Sequence, residues 1–352
     1  MDIRLLESVD DLKQVVDLEI AVWGLDPKDA VPMNIMRPLS LHGGLVLGAF
    51  EAARMVGMAL AFPARTHGRW LLWSHMTGVH PDVQGRGIGF ALKQAQRAWA
   101  LENGYDEIRW TFDPLQRGNA NFNLHRLGAS ASSYYVNYYG QMDDAINRQT
   151  ASDRIEAVWK LRDRRVRQRA EGRELSFKKK PTDTWALGAQ RGEPVSYSLP
   201  SGDARVLIEI PRDRASLSAP QTGAWRLALR HALQEAFARG YAAVDFVDEA
   251  ERSYYVLEAS PWYLYVLHCG DDSLYTGITP DLASRLKRHQ AGRGAAYTAA
   301  RRPVRVAGAW RFPSRSAALK AEAAFKRLSR ASKLAHIDRK LPYMSMDFVA
   351  PE

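Results

Sequence analysis

The sequence predicts an α/β protein of two or three domains. A mixed sheet with flanking helices comes first, a second α/β unit follows, and a small three-stranded antiparallel sheet flanked by helices ends the chain. Three observations predict this. Apolar runs of strand length alternate with segments of helical period as far as Asp248. A glycine-rich loop joins one such strand directly to one such helix. The net charge of +10 is concentrated: from Pro261 onwards 16 Lys and Arg stand against 7 Asp and Glu, an excess of nine.

The opening residues Met1 to Gln14 are acidic and helix-like, unlike a signal peptide, and Leu12 to Trp23 has the pattern of an amphipathic helix. Gly43-Gly44 precede a strand at Leu45 to Phe50, and Met55 to Phe62 is its hairpin partner across Glu51 to Arg54. Trp70 to Val79 is apolar and aromatic, as a buried strand is. After the turn His80-Pro81-Asp82 comes Gln84-Gly85-Arg86-Gly87-Ile88-Gly89. Ile88, Leu92, Ala95 and Trp99 then recur at helical spacing, with Lys93, Gln94 and Arg97 assigned to the opposite face. Gly104 closes the helix, and Ile108, Trp110 and Phe112 alternate as in a half-buried strand. The glycines alone fit a tight turn packing helix on sheet. They also fit a phosphate cradle, because glycine lets a ligand approach the backbone and the first helical N–H groups have no partner within the helix. Arg86 adds a full positive charge. The loop has neither the P-loop Lys-Ser/Thr nor the spacing G-x-G-x-x-G.

Val79-His80-Pro81 followed by Gln84-x-x-Gly87-x-Gly89 and a helix resembles motif A of the GNAT acetyltransferases. The resemblance covers about the first 150 residues. It implies that Val79, Gln84, Gly85, Arg86, Gly87, Ile88 and Gly89 bind acetyl-CoA, for transfer to a small-molecule or protein amine. Beyond the break at Asp113-Pro114, the segment Asn119 to Gly128 resembles the family helix that ends in Tyr-x-x-x-Gly. Leu124 stands where that tyrosine would protonate the leaving thiolate. His125, Tyr134, Tyr135, Tyr138 and Tyr139 are nearby alternatives, and neither acid nor base is assigned.

Residues 151–182 read as a basic helix or linker, charged from Lys160 to Lys180 and closed by Pro181. Residues 183–258 echo the first unit: strand Val206 to Pro211, helix Trp225 to Phe237, Gly240-Tyr241 matching Gly104-Tyr105, then strand Ala242 to Val247. The loop Arg212 to Thr222 lacks the motif, so this reads as a degenerate second GNAT-like unit.

From Pro261 a hairpin is expected, Tyr263 to Leu267 and Leu274 to Ile278 around Gly270 to Ser273. Thr279 is the expected cap of the next helix, with Pro280 at its first position. Arg285 and His289 share a face of that helix, a pair suited to gripping a phosphate and taking a proton from water. Glu322 sits beside the apolar face of a later helix, where an ion pair with an arginine or a divalent metal would compensate it. Tyr263-Leu264-Tyr265, Tyr275-Thr276-Gly277, Arg285, His289 and Glu322 in this order resemble the GIY-YIG nucleases over about Trp262 to Lys333. Tyr263 replaces the family Gly and Thr276 the family Ile. The resemblance implies catalytic roles for Tyr265, Tyr275, Arg285, His289 and Glu322, Mg²⁺ or Mn²⁺ on Glu322, and DNA as substrate, branched or otherwise structured DNA included. The nuclease domain is expected over 261–340 with a tail at 341–352.

No apolar run reaches the length of a membrane span, and a single cysteine, Cys269, excludes an internal disulfide and a cysteine-based zinc site. A cytoplasmic location is expected. The two resemblances together imply a bifunctional acyltransferase and metal-dependent endonuclease. The alternative is an acetyl-CoA-binding protein without turnover, anchored to nucleic acid by its basic end.

Overall fold

The computed structural model describes residues 1–66, 68–140, 151–173, 177–199, 205–259, 261–312, 315–338, 341, 343 and 348–349. Residues 141–150, where the first domain was expected to end, and most of the expected tail lie outside them. The chain divides into two compact units, one of residues 1–198, 207–235 and 243–257, the other of 199–206, 236–242 and 258–352.

The first unit begins with β1 (Asp2–Leu5), α1 (Val9–Trp23), α2 (Met33–Leu41), β2 (Leu45–Glu51), β3 (Arg54–Thr66) and β4 (Arg69–Val79). The opening is thus a strand, where a helix start was expected. β1 is too short and too exposed to show alternation, yet Asp2 to Leu5 pair with Leu47 to Phe50. The helix starts only after Ser8, whose hydroxyl accepts the N–H of Asp11. Then come α3 (Ile88–Glu102), β5 (Glu107–Phe112), α4 (Arg117–Ala120) running into a π-helical turn at Asn121–Arg126, β6 (Ser130–Tyr135) and β7 (Arg154–Lys160).

β7 lies antiparallel between β5 and β6. The stretch expected as a linker from residue 151 therefore contributes an interior strand. Ile155, Ala157 and Trp159 are fully buried, and the one charge between them is matched: Glu156 accepts from Arg109 at 2.8 Å. Only α5 (Arg164–Ala170), capped by Asp163, is a basic helix there.

β8 (Thr184–Gln190), β9 (Glu193–Ser196), β10 (Val206–Ile210), α6 (Ala219–Ala238), β11 (Tyr241–Asp248) and β12 (Ser253–Ala259) extend the same sheet, in the order β1-β2-β3-β4-β5-β7-β6-β11-β12-β10-β8-β9. The strand–helix–strand order of β4–α3–β5 recurs in β10–α6–β11. Its degeneracy reaches the topology, since β12 lies between β10 and β11 whereas β4 and β5 are parallel neighbours.

That parallel pairing is brief. It joins Leu72 to Ile108 and Trp73 to Arg109, and the strands then part. Just beyond, Leu60 pairs with Met76 and Ala61 with Ser74, so His75 is one residue in excess on β4. Such a bulge bends its strand. The V between β4 and β5 forms a cleft. Beside it, Asp113 receives two hydrogen bonds from Arg226 of α6, at 3.0 and 2.9 Å, and Asp153 two from Arg230, at 2.9 and 3.1 Å.

The second unit holds β13 (Trp262–Cys269), β14 (Leu274–Thr279), α7 (Leu282–Gln290), α8 (Ala296–Ala299), β15 (Val304–Phe312), α9 (Arg315–Arg327), α10 (Arg330–Asp338) and the two-residue β16 (Phe348–Val349). Three strands and β16 form an antiparallel sheet, β14-β13-β15-β16, with β14 on an edge. Alternation gives it two apolar faces. Leu264, Val266, Trp310 and Phe312 pack with Ala318, Ala321 and Phe325 of α9; Tyr265, Leu267, Cys269 and Ala309 pack with Leu282 and Leu286 of α7. The cap of α7 is Asp281, not Thr279: its carboxylate accepts the N–H of Ser284 at 2.9 Å, and Thr279 instead hydrogen-bonds Asp281.

The Asp113–Arg226 pair has both side chains about 5% exposed, so removing one partner strands a buried charge. Arg226→Met is expected to lower the unfolding free energy by about 3 kcal/mol. Arg4→Met, which breaks a surface pair with Asp11, should cost less than about 1 kcal/mol. Urea unfolding followed by tryptophan fluorescence compares the two.

Candidate functional site

The V between β4 and β5 opens into a cleft of about 890 Å³. Ser74 to Thr77 and Val79 line one side, Trp110 to Asp113 the other, and Gln84, Gly85, Gly87, Ile88 and Gly89 its end. Gly85 and Gly87 have φ of +80° and +82°, and a Cβ on either would meet nothing within 4 Å. The loop thus needs glycine for its conformation and leaves open space in front of its backbone. α3 has Gly87 as N-cap and no side-chain cap, unlike α1, so its first N–H groups face outward. These features fit a pyrophosphate at the loop and an extended arm along β4. Val79, Gln84, Gly85, Gly87, Ile88 and Gly89 are brought together there. Two of the expected residues act differently. Gln84 uses its side-chain amide to hold the carbonyl of Val79 at 3.1 Å, and Arg86 turns toward Glu51 at 3.9 Å and does not line the cleft.

The π turn places Phe122, Asn123 and Arg126 on the cleft, while Leu124 is fully buried. Of the alternatives, His125 is 3.0 Å from Asp245, Tyr134 donates to Asp153 at 2.6 Å and Tyr135 to Glu156 at 3.0 Å. Burial, with the Asp153 carboxylate, pushes the Tyr134 phenol far up. Among the described residues, Tyr139 is the tyrosine that lines the cleft, its hydroxyl 3.3 Å from Thr111.

The sequence reading misplaced Lys93. The buried face of α3 is Ile88, Leu92, Lys93, Gln96 and Ala100, a period-3.6 stripe that includes two polar residues. Lys93 is 2% exposed and its amine donates to Gln96 Oε1 at 2.6 Å and Ser74 Oγ at 3.1 Å. It sits 3.9 Å from the centre of the Trp110 ring. Among the described residues no carboxylate pairs with it, and burial pushes it down to about 7. The attraction of the indole face, about 2 kcal/mol when desolvated, does not replace the lost hydration of an ammonium.

In the second unit four expected residues come together. Arg285 donates its Nε–H to the Tyr265 hydroxyl at 2.9 Å, and that hydroxyl is 3.0 Å from His289 Nε2. His289 Nδ1 is 2.6 Å from Thr298 Oγ1, which donates to the carbonyl of Ala295 at 2.9 Å. A guanidinium only donates and a carbonyl only accepts, so the two ends fix every proton between them. Nδ1 carries the imidazole proton, and Nε2 accepts from Tyr265. Tyr275 leans on the rings of Tyr265 and His289 at 6.2 and 5.2 Å, and is stacked with the exposed Tyr297. Burial pushes Tyr265 up to about 12, against the pull of Arg285. Burial, then the charges of Arg285 and Arg288, pushes His289 down to about 4. Tyr265 lies directly opposite Gly277, and a Cβ there would come within 2.7 Å of its hydroxyl. That is why the second motif ends in glycine. Thr298 carried no sequence signal.

Glu322 stands apart. It lies on α9, which packs on the other face of the sheet, and its partner is Lys326 at 2.8 Å rather than an arginine. It is the one carboxylate of this constellation, and no group of three or more His, Cys, Asp or Glu able to hold a metal occurs among the described residues. A single carboxylate suffices for Mg²⁺ only where water and a substrate phosphate complete the shell.

Residues 13–129 match the acetyltransferase (GNAT) family and residues 261–335 the GIY-YIG catalytic domain. Over 74 residues the chain is 60% identical to a UPF0213 protein of Cupriavidus pinatubonensis, covering 21% of this chain and 82% of that one. A UPF0213 protein of Streptococcus sanguinis is 57% identical over 75 residues, 21% of this chain and 86% of that one. Among solved structures, the ribosomal-protein-S18-alanine N-acetyltransferase from Escherichia coli is 16% identical, over 46% of this chain and 93% of that chain, with a TM-score of 0.37.

The depressed His289 makes stability depend on pH. Its folded value, about 4, lies below the ordinary 6.5. Stability from the neutral ring is therefore complete above pH 6.5 and is lost as pH falls from 6.5 through 4, where only the unfolded chain takes the proton. Urea midpoints should fall over that window, and less steeply in His289→Gln.

Proposed function

The C-terminal part of the chain belongs to the GIY-YIG family, alongside the UPF0213 proteins, and the N-terminal part carries a GNAT acetyltransferase domain; from this we propose a bifunctional enzyme. One site transfers an acetyl group from acetyl-CoA to an amine, and the other hydrolyses DNA phosphodiesters with a divalent metal. The observation that carries the first half is the V between β4 and β5, which ends at the glycine loop.

Bound acetyl-CoA would supply an activated acyl group. The loop backbone from Gly85 to Gly89 holds the pyrophosphate, and β4 beyond His75 offers a strand edge to the arm. Gly89 tests the loop, because a Cβ there meets Val79 and Phe122 at ordinary distances of 3.7 and 3.9 Å and leaves the fold intact. Gly89→Val fills the cradle. Calorimetry should read acetyl-CoA binding weakened at least about tenfold, with an unchanged circular dichroism spectrum.

In the nuclease half, Arg285 stabilises the charge that grows on the phosphate. His289, kept neutral, receives a proton at Nε2 through the Tyr265 hydroxyl, and Tyr275 presents a phenol to the attacking water. Glu322 would hold Mg²⁺ or Mn²⁺, which polarises a phosphoryl oxygen. This reading sets the phosphodiester across the edge strand β14, with Arg285 and Tyr275 on one side and Glu322 on the other. Glu322→Gln is expected to abolish nicking of plasmid DNA while DNA affinity and folding survive, and a chelator should do the same to the unaltered protein. Metal-independent nicking would return Glu322 to its ion pair with Lys326.

One observation favours a second reading, an acetyl-CoA-binding protein without turnover tethered to DNA. Leu124, fully buried, stands where the resemblance expects a proton-donating tyrosine.

A further inference from the structure

We propose that Lys93 carries the proton of the acyl transfer, taking it from the incoming amine and returning it to the departing thiolate. This rests on the acetyltransferase reading.

Placement is the first argument. Pairing between β4 and β5 ends at Trp73 and Arg109. The next residue on each strand, Ser74 and Trp110, is the one that Lys93 touches, at 3.1 Å and 3.9 Å from the ring centre. The amine therefore sits at the apex of the V, where the cleft closes. From Val79 at the loop back to Ser74 is five strand steps, about 17 Å, the length of an extended pantetheine arm. A thioester anchored at the loop arrives at this apex.

Chemistry is the second. The groups facing Lys93 from the elements around it are the Ser74 hydroxyl, the Gln96 carbonyl, Trp110 and Trp159; none is charged. Three other charged groups lining the cleft are committed elsewhere. Glu19 accepts the Val31 N–H at 3.0 Å, Asp113 is taken by Arg226, and Arg154 lies over the Tyr139 ring. Asp29 and Arg126 also line the cleft, as does His75, the bulged residue of β4, whose burial pushes it down. With burial holding Lys93 at about 7, both its states are populated near neutrality.

The step balances. The amine nitrogen forms its bond to the acetyl carbon and the carbon–sulfur bond breaks. The nitrogen's surplus proton passes to the Lys93 lone pair, and the Lys93 ammonium then protonates sulfur. Lys93 ends as it began.

The test uses the full chain with acetyl-CoA and a panel of simple primary amines, following thiol release, beside calorimetry of acetyl-CoA binding. Lys93→Met and Lys93→Gln should bind acetyl-CoA within about twofold of the unaltered protein yet release thiol at least about a hundredfold more slowly. The unaltered rate should rise with a midpoint near pH 7 that both variants lack. Lysine-selective labelling adds a readout free of turnover: the Lys93 resonance titrates near pH 7 and moves when CoA is added. Near-normal release by the variants, an unchanged pH midpoint, a Lys93 resonance indifferent to CoA, or acetyl found on Lys93 by mass spectrometry would overturn the proposal. Absence of acetyl-CoA binding by the unaltered protein would instead overturn the transferase reading beneath it.

Discussion

The carboxylate of Asp113 is the constraint on which the first unit depends. It closes β5, accepts the N–H of Leu115 at 2.9 Å, takes both terminal nitrogens of Arg226 and lies 3.4 Å from Arg214. One buried charge thereby fixes the strand that forms a wall of the cleft, the turn after it, and the helix of the extending half. A buried pair gains little over a hydrophobic contact of the same size, but its geometry admits one arrangement. Asp153 does the same one strand away, with Tyr134 and Arg230 as its donors. The extending half is therefore held by directional bonds beside the cleft, and the cleft keeps its width because α6 is not free to slide.

The two sites share one physical device. Each removes an ionisable group from water without giving it an opposite charge. Lys93 gets two neutral oxygens and two indole faces; His289 gets a hydroxyl on either side, with cations rather than carboxylates nearby. Desolvation then wins over hydrogen bonding, so near neutrality His289 stands neutral and Lys93 is neutral in part, where their free forms would be partly and fully charged. Glu322 is treated the opposite way: its side chain, 16% exposed, has an opposite charge beside it, the Lys326 ammonium at 2.8 Å.

Much of this was legible in the residues. The strand, loop and helix from Arg69 to Glu102 follow from periodicity and glycines, and the placement of Arg285 and His289 on one helical face follows from their spacing. What was hidden has a common cause. Arg154, Glu156, Lys93 and Gln96 are polar residues on buried faces, so a reading by hydrophobic pattern sends them to solvent. Their partners, Arg109 for Glu156 and Ser74 for Lys93, lie 47 and 19 residues away, beyond any local window. β1 escaped for a different reason, being an exposed edge of four residues recognisable only from the strand it pairs with. Thr298 sits in a four-residue helix that no pattern announces.

The packing of Gly277 against the Tyr265 hydroxyl bears on how such chains diverge. A lineage that abandons the tyrosine releases position 277, since smaller side chains at 265 leave room for a methyl group, whereas a lineage that keeps it holds the glycine captive. The two positions are twelve residues apart and would drift as a pair. Glycine at 277 alongside a changed residue at 265 would mark a recent loss, and any larger residue at 277 an old one. The history of the site is thus written twice, once in the phenol and once in the hydrogen atom that makes room for it.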